Sequence, residues 1–261
     1  AAWKSFYSVI TMSNSVISDV REKSTGDVSE EAKARAIAEA RLMRGCAYFY
    51  MLRAWGPVIL IEDNQKVVDN PVLPLNREED VFQFIINDFT YAAENLPEKG
   101  DQPGRATCWA AKGMLAKVYL ARSGWRKGGQ RDNADLELAK QYADVCENSG
   151  LELLPDYEDL FKYKQNNNQE SLLAMQWVPL GEWGVCNTLF ADLAFSTEVT
   201  GGVNVWSSYA ASVEMLEIYN EEPGDTLRRN ATFFTQGTYY DYICISEGGY
   251  TYDDTGAPIK K

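Results

Sequence analysis

The chain contains no histidine. That absence removes the commonest general base at neutral pH, the Ser-His-Asp and Cys-His arrangements, and most zinc and haem sites, so few enzyme mechanisms survive it. Cysteine is scattered: Cys46, Cys108, Cys146, Cys186 and Cys244 form no Cys-x-x-Cys pair for metal or redox chemistry. Cys46, Cys108 and Cys146 fall within helical patterns and read as small buried hydrophobes. Cys186 and Cys244 lie in the less regular half and are able to pair, but an odd total argues against a full disulfide framework. No uninterrupted apolar run reaches about 18 residues, and the N-terminus lacks the regions of a signal peptide. Positive charge is in deficit, 25 basic residues against 38 acidic for a net −13. Such a balance repels phosphate backbones and anionic lipid, which excludes nucleic acid as a partner.

What is present is a helical first half. With 261 residues, 45% of them hydrophobic, the chain can bury one substantial core or two smaller ones without a disulfide or metal. It opens inside an amphipathic pattern at Ala1-Ala2-Trp3-Lys4-Ser5-Phe6 and stops at Ile259-Lys260-Lys261, which reads as a fragment. Trp3, Phe6, Tyr7, Ile10, Ile17 and Val20 recur at helical spacing up to the break at Ser24-Thr25-Gly26-Asp27. A second, long helix starts near Ser29, with Glu30 and Glu31 in its first turn, and ends at Gly56-Pro57. Pro57 to Ile61 is a short extended stretch, and Pro71 to Pro74 a rigid loop. The third helix is expected from Asn76 as N-cap through Val81, Phe84, Ile85, Asp88, Phe89 and Ala92 to Leu96-Pro97. Gly104 to Ser123 gives a fourth and Asp132 to Asn148 a fifth.

These last two carry the pattern of a tetratricopeptide (TPR) unit, with small residues at a tight crossing and aromatics at a wide one; Ala116, Tyr119, Ala139 and Ala143 are assigned those parts. The intervening Trp125-Arg126-Lys127-Gly128-Gly129-Gln130-Arg131 is longer than a standard repeat permits. It is not a phosphate loop, since no strand precedes it and no Lys-Ser/Thr pair follows. From Leu151 the composition shifts toward Gly, Trp, Tyr, Asn and Thr. Ser171 to Trp177 reads as a strand, Ser212 to Tyr219 as a short helix, and Tyr239 to Ser246 as a further strand. The expected architecture is therefore mainly α, a TPR-like scaffold over 1–150 followed by a loop-rich half with short strands over 151–261. Loops held on a rigid scaffold commonly carry binding residues, so the site is sought in that second half.

Several segments, in order, resemble the SusD/RagB glycan-binding proteins of Bacteroidota. "EARLMRGCAYFYMLRAWGPVIL" is similar to the family's long helix running into a Gly-Pro turn, "REEDVFQFIINDFTYAAENLP" to the next helix, and "GRATCWAAKGMLAKVYL" to the Gly-Arg-Ala helix after it. "GLELLPDYEDLFKYKQNNNQESLLAMQW" resembles the Tyr-x-x-Leu-Phe and Glu-Ser segment entering a strand. The resemblance implies a SusD-like α-α superhelix in a surface-exposed outer-membrane lipoprotein, non-catalytic and without cofactor. Such a protein binds glycan for nutrient uptake and caps a TonB-dependent transporter of the SusC type. The chain is about half the length typical of the family and shows no lipidated cysteine, so membrane attachment would be through a lipid anchor not present in this chain.

Sugars present an apolar face of axial hydrogens and a rim of hydroxyls, which binders meet with flat aromatic rings and planar amide or charged groups. Trp3, Trp55 and Trp109 fall at helical positions and read as core. Trp183 and Trp206 stand among glycines where no helical face explains them. The resemblance places the glycan contacts in the loop after Leu172 to Trp177, so the expected glycan-binding residues are Trp183, Asn187, Trp206 and Tyr209. Asn204, Glu182, Tyr239 and Tyr240 are secondary. A metal site is not expected: Asp132-Asn133-Ala134-Asp135 lacks the glycine and terminal glutamate of a calcium loop and reads as a helix cap. A glycosidase needs carboxylates about 5 to 9.5 Å apart across a cleft, whereas the doublets Glu221-Glu222 and Asp253-Asp254 sit in polar turn sequence. A TPR scaffold that docks peptides, and more remotely a glycoside hydrolase, are the competing readings.

Overall fold

The computed structural model describes residues 2–177, 187, 189–194, 196–197, 199–200 and 204–251. The chain divides into two compact units, Ala1–Glu152 with Gln169–Ala174, and Leu153–Asn168 with Met175–Lys261.

The first unit is built from helices whose ends are written in the sequence. Helix α1 (Ala2–Lys23) is followed by α2 (Glu30–Trp55), where the Ser29 hydroxyl accepts from the Ala32 N–H at 3.2 Å and Glu30 and Glu31 face the positive end of the helix dipole. Gly56, at φ +74°, ends α2 with its N–H on the Leu52 carbonyl at 2.9 Å. Helix α3 (Asn64–Asp69), capped by Asp63, buries no residue, so no apolar stripe announced it. Helix α4 (Glu78–Asn95) departs from expectation at its start: Asn76 does not cap it, because its carboxamide accepts from the Leu60 N–H at 2.9 Å instead. Helix α5 (Cys108–Gly124) begins at Thr107 rather than at Gly104, and α6 (Asn133–Glu147) is capped by Asp132, which accepts from Ala134 N–H at 3.0 Å and Asp135 N–H at 3.3 Å.

Each long helix packs on the next, α1 on α2, α2 on α4, α4 on α5 and α5 on α6, giving the TPR-like stack. One core runs through it, including Leu42, Tyr48, Met51, Val81, Ile85, Phe89, Leu115 and Val118, all fully buried. Close approach of α2 to α4 needs Gly45, where a Cβ would meet the Phe89 ring at 2.7 Å. In the α5–α6 pair Tyr119 stacks on Tyr142 with centroids 5.8 Å apart, the wide end. The tight end is not as assigned from the pattern: Ala139 is buried, as are Ala110 and Ala111, but Ala143 faces solvent and Ala116 is only half-buried.

Two polar features fix the register of these helices. Arg44 (α2) forms a fork with Asp88 (α4), Nε to Oδ2 at 2.8 Å and Nη2 to Oδ1 at 2.7 Å, and its Nη1 donates to Asn14 Oδ1 (α1) at 2.7 Å. All three are buried. The extended stretch Pro57 to Ile61 has no β partner among the described residues; the Asn76 N–H donates to the Val58 carbonyl at 2.9 Å, and side chains meet other backbone groups. Tyr7 OH donates to Ile59 C=O and accepts from Ile59 N–H, Tyr48 OH accepts from Ile61 N–H at 2.7 Å, and Asn14 Nδ2 donates to Ile61 C=O at 2.8 Å.

The second unit is less regular. Its helices α7 (Leu189–Leu193), α8 (Val213–Glu221) and α9 (Thr226–Thr232) are short, and a two-residue hairpin pairs β1 (Tyr239–Tyr240) with β2 (Tyr250–Thr251) antiparallel, Tyr240 opposite Tyr250. Ser212 caps α8 as its sequence suggests. Tyr240, Ile243 and Tyr250 form a small core with Phe234. The strand expected over Ser171 to Trp177 is absent: that segment finds no partner strand among the described residues, and Gln176 instead exchanges paired amide hydrogen bonds with Asn167 at 2.8 and 2.9 Å. Of the strand expected over Tyr239 to Ser246 only β1 forms: the chain turns at Asp241-Tyr242, and Cys244, at φ +51°, leads into a 3-10 turn.

Removing the Asp88 carboxylate leaves a buried guanidinium without the acceptor of its Nε–H and Nη2–H groups, a loss of about 3–5 kcal/mol. Urea unfolding of Asp88→Ala should show that loss; a change below ~1 kcal/mol, the scale of a surface pair, would contradict the role given to this network.

Candidate functional site

Three of the residues singled out for sugar contact, Asn187, Trp206 and Tyr209, lie around α7. This helix has five residues, too short to satisfy many of its own carbonyls, so its end needs outside donors. The segment that follows supplies them. Trp206 N–H donates to the Ala191 carbonyl at 2.6 Å, Ser207 N–H to the same oxygen at 3.2 Å, and Tyr209 N–H to the Asp192 carbonyl at 3.1 Å. At the other end Asn187 Oδ1 accepts from the Leu189 N–H at 3.0 Å. Ala191, 3% exposed, is the buried pivot of the arrangement. Ser207 adopts φ +50°, a left-handed turn in the segment that carries Trp206 and Tyr209.

Asn187, Trp206 and Tyr209 are therefore fastened to one short support by backbone and cap bonds. The Trp206 side chain is 48% exposed and that of Tyr209 64%, and Asn187 and Asn204 are also exposed. Asn187 uses its carbonyl oxygen in the cap, which leaves its amide N–H groups as donors. Trp183 and Glu182 lie outside the described residues. An exposed indole, an exposed phenol and an amide on one small element match the stacking and hydroxyl-bonding needs of a pyranose.

Other candidates change standing. Tyr240 is buried in the small core and cannot meet a ligand, while Tyr239 commits its hydroxyl to the Gly248 carbonyl at 2.7 Å. Trp3 and Trp55, read from their helical positions as core, are instead 37% and 43% exposed. They pack edge to face 5.3 Å apart beside Phe6, because the first turn of α1 and the last of α2 lie at the rim of the stack. Helical spacing alone does not distinguish the rim from the centre. Trp109 is half-buried, with Lys112 Nζ 4.2 Å above its ring. Cys108 is buried and Cys46 and Cys146 are half-buried; burial pushes the Cys46 thiol up to about 12, which makes it unreactive. Cys186, which the sequence allows to pair with Cys244, lies outside the described residues, as does the doublet Asp253-Asp254. Glu221 and Glu222 are exposed at the end of α8. Among the described residues no helix is long and apolar enough to cross a membrane.

If the Tyr209 ring serves a ligand and not the fold, Tyr209→Ala should alter global stability by no more than about 0.5 kcal/mol, as for other exposed positions. Thermal unfolding checks this, and a loss several times larger would make Tyr209 structural.

Residues 1–120 match a SusD-like family model described as starch-binding and associating with the outer membrane. Over its whole length the chain is 75% identical to a SusD-like protein of Bacteroides ovatus, covering 47% of that relative. A crystal structure described as being with xylogluco-oligosaccharide is 74% identical, with TM-score 0.87 over 100% of this chain and 51% of that one. A SusD homologue from Bacteroides thetaiotaomicron, 24% identical, shares the fold at TM-score 0.74 over 98% of this chain and 48% of its own. The chain thus spans about half the length of the curated relatives it matches. With these matches running from the stacked helices through the segment that carries α7, the chain belongs to the SusD-like family.

Proposed function

We propose that this protein is a non-catalytic oligosaccharide binder, with residues 1–150 as scaffold and 151–261 contributing the glycan face. The observation that carries the reading is the α7 platform, on which Trp206 and Tyr209 are exposed while their backbones are tied to Ala191 and Asp192. A backbone already fixed lowers the entropy lost when a sugar stacks on an exposed ring. Trp183, nearby in sequence, is assigned the second stacking ring, and Asn187 the hydroxyl contact. Likeness to a protein crystallised with xylogluco-oligosaccharide supports a glucan of that type as the ligand. In the cell, the reading has a surface lipoprotein of the outer membrane handing its glycan to a TonB-dependent transporter of the SusC type.

Calorimetric titration with a xylogluco-oligosaccharide tests the site. Trp206→Ala and Trp183→Ala should each weaken binding about tenfold, ~1.4 kcal/mol. Affinity unchanged in both variants would remove the site assignment. Prolonged incubation should release no reducing sugar, and turnover abolished by one carboxylate substitution would make the protein a hydrolase.

A further inference from the structure

The over-long loop between α5 and α6 is not slack. Trp125 N–H bonds to Arg122 C=O at 3.2 Å, Lys127 N–H to Gly124 C=O at 3.3 Å, and Asp132 N–H to Ser123 C=O at 2.8 Å. Gly128 and Gly129 supply the positive φ its course requires, and Arg126 adopts φ +51° at a steric cost that a glycine would avoid. What holds Arg126 there is Glu78 at the start of α4, almost fully buried, whose Oε1 lies 2.7 Å from Arg126 Nη2 and whose Oε2 accepts from Trp125 Nε1 at 2.8 Å.

The result is an open cleft of about 840 Å³ between this loop and the end of α2, lined by Arg53, Trp55, Gly56, Trp125, Arg126 and Arg131 among others, none of them acidic. Arg131 lies across the end of α5 over Gly124, its Nη1 2.6 Å from where a Cβ would stand. Most other guanidinium groups in the first unit are paired, among them Arg35 with Asp101, Arg44 with Asp88 and Arg122 with Asp135. Arg53 and Arg131 make no ion pair among the described residues; Arg53 rests over the Phe49 ring at 5.4 Å, and Arg131 reaches only the Gln130 carbonyl. In a chain with 38 acidic residues to 25 basic ones, two uncompensated guanidiniums on one cleft are conspicuous. Arg53 also offsets the α2 dipole from its last turn, but Arg131 belongs to no helix.

We infer that this cleft is a second saccharide site, for glycans bearing uronate groups. The exposed Trp55 indole stacks a pyranose face, and Arg53 and Arg131 receive the carboxylate in the planar, two-donor geometry a guanidinium favours. The volume lies within the ~300–1,000 Å³ usual for small-ligand sites. A peptide helix would need a row of large apolar anchors, and beyond the two indoles the cleft offers only Leu120. The site uses none of the α7 residues, so either assignment can fail alone.

The test is calorimetry on the protein at its full natural length, with trigalacturonate, a neutral xylogluco-oligosaccharide and a hexaglutamate peptide as probes. Trigalacturonate should bind, weaken as salt is raised to about 0.2 M, and lose roughly tenfold in affinity in Arg131→Gln and in Arg53→Gln. Both side chains are exposed, so circular dichroism should show those variants folded. Trp206→Ala should leave trigalacturonate binding as it was, and Arg131→Gln should leave the neutral glycan's binding as it was. No binding of trigalacturonate at millimolar concentration, or binding untouched by both arginine substitutions, overturns the inference. Hexaglutamate binding as tightly as trigalacturonate overturns it too, making the cleft a dock for acidic peptide.

Discussion

The helical unit turns on a buried guanidinium. Arg44 joins α2 to α4 through Asp88 and to α1 through Asn14, at 2.7 to 2.8 Å each. Its ring of contacts is completed by Phe84, 4.7 Å from the guanidinium carbon. Taking two charges out of water is costly, and a fork of this geometry roughly offsets that cost rather than exceeding it. Its value is therefore geometric more than energetic. Apolar faces constrain the sliding of α1, α2 and α4 only weakly, whereas the directional bonds of Arg44 are met when Asp88 and Asn14 lie beside it.

From Arg44 the order propagates outward through Asn14, which spends its oxygen on the guanidinium and its nitrogen on Ile61 C=O and Asn64 Oδ1. That second set of bonds pins the extended segment after Gly56. Tyr7 and Tyr48 pin it further, so hydroxyls stand in for a strand partner. The same logic recurs in the second unit at smaller scale, where the segment 206–209 satisfies the open carbonyls of α7. In both places irregular chain is made rigid by closing the hydrogen-bond needs of a neighbouring element, which is what lets side chains nearby stay exposed without the backbone wandering.

Much of the scaffold was readable in the sequence because helix boundaries are local. Ser29, Gly56, Asp132 and Ser212 act where they were expected, and each does so through a bond to a residue no more than four positions away. Asn76 was misread for the complementary reason. A cap residue can serve a distant strand as well as its own helix, and here Leu60 wins it. Asp88 could be placed on an apolar stripe, but its partner 44 residues earlier could not, since nothing local marks Arg44 as buried. The segment Ser171 to Trp177 has the composition of a strand but pairs with no strand among the described residues, and composition does not report partners. Trp3 and Trp55 failed as core for a similar reason: period gives the face of a helix, not the position of that face within the stack.

The site divides along the same line. Its location in the loop-rich half and its aromatic chemistry came from composition and family resemblance, whereas the device that gathers Asn187, Trp206 and Tyr209, a five-residue helix with open carbonyls, was visible only in three dimensions. The central claim is that a sugar stacks on this platform. A crystal structure of the protein with a xylogluco-oligosaccharide tests it most directly. The account predicts a pyranose ring within about 4 Å of the Trp206 indole face, the contact distance of packed carbon atoms. Ordered glycan that leaves Trp206 and Tyr209 uncovered would contradict it.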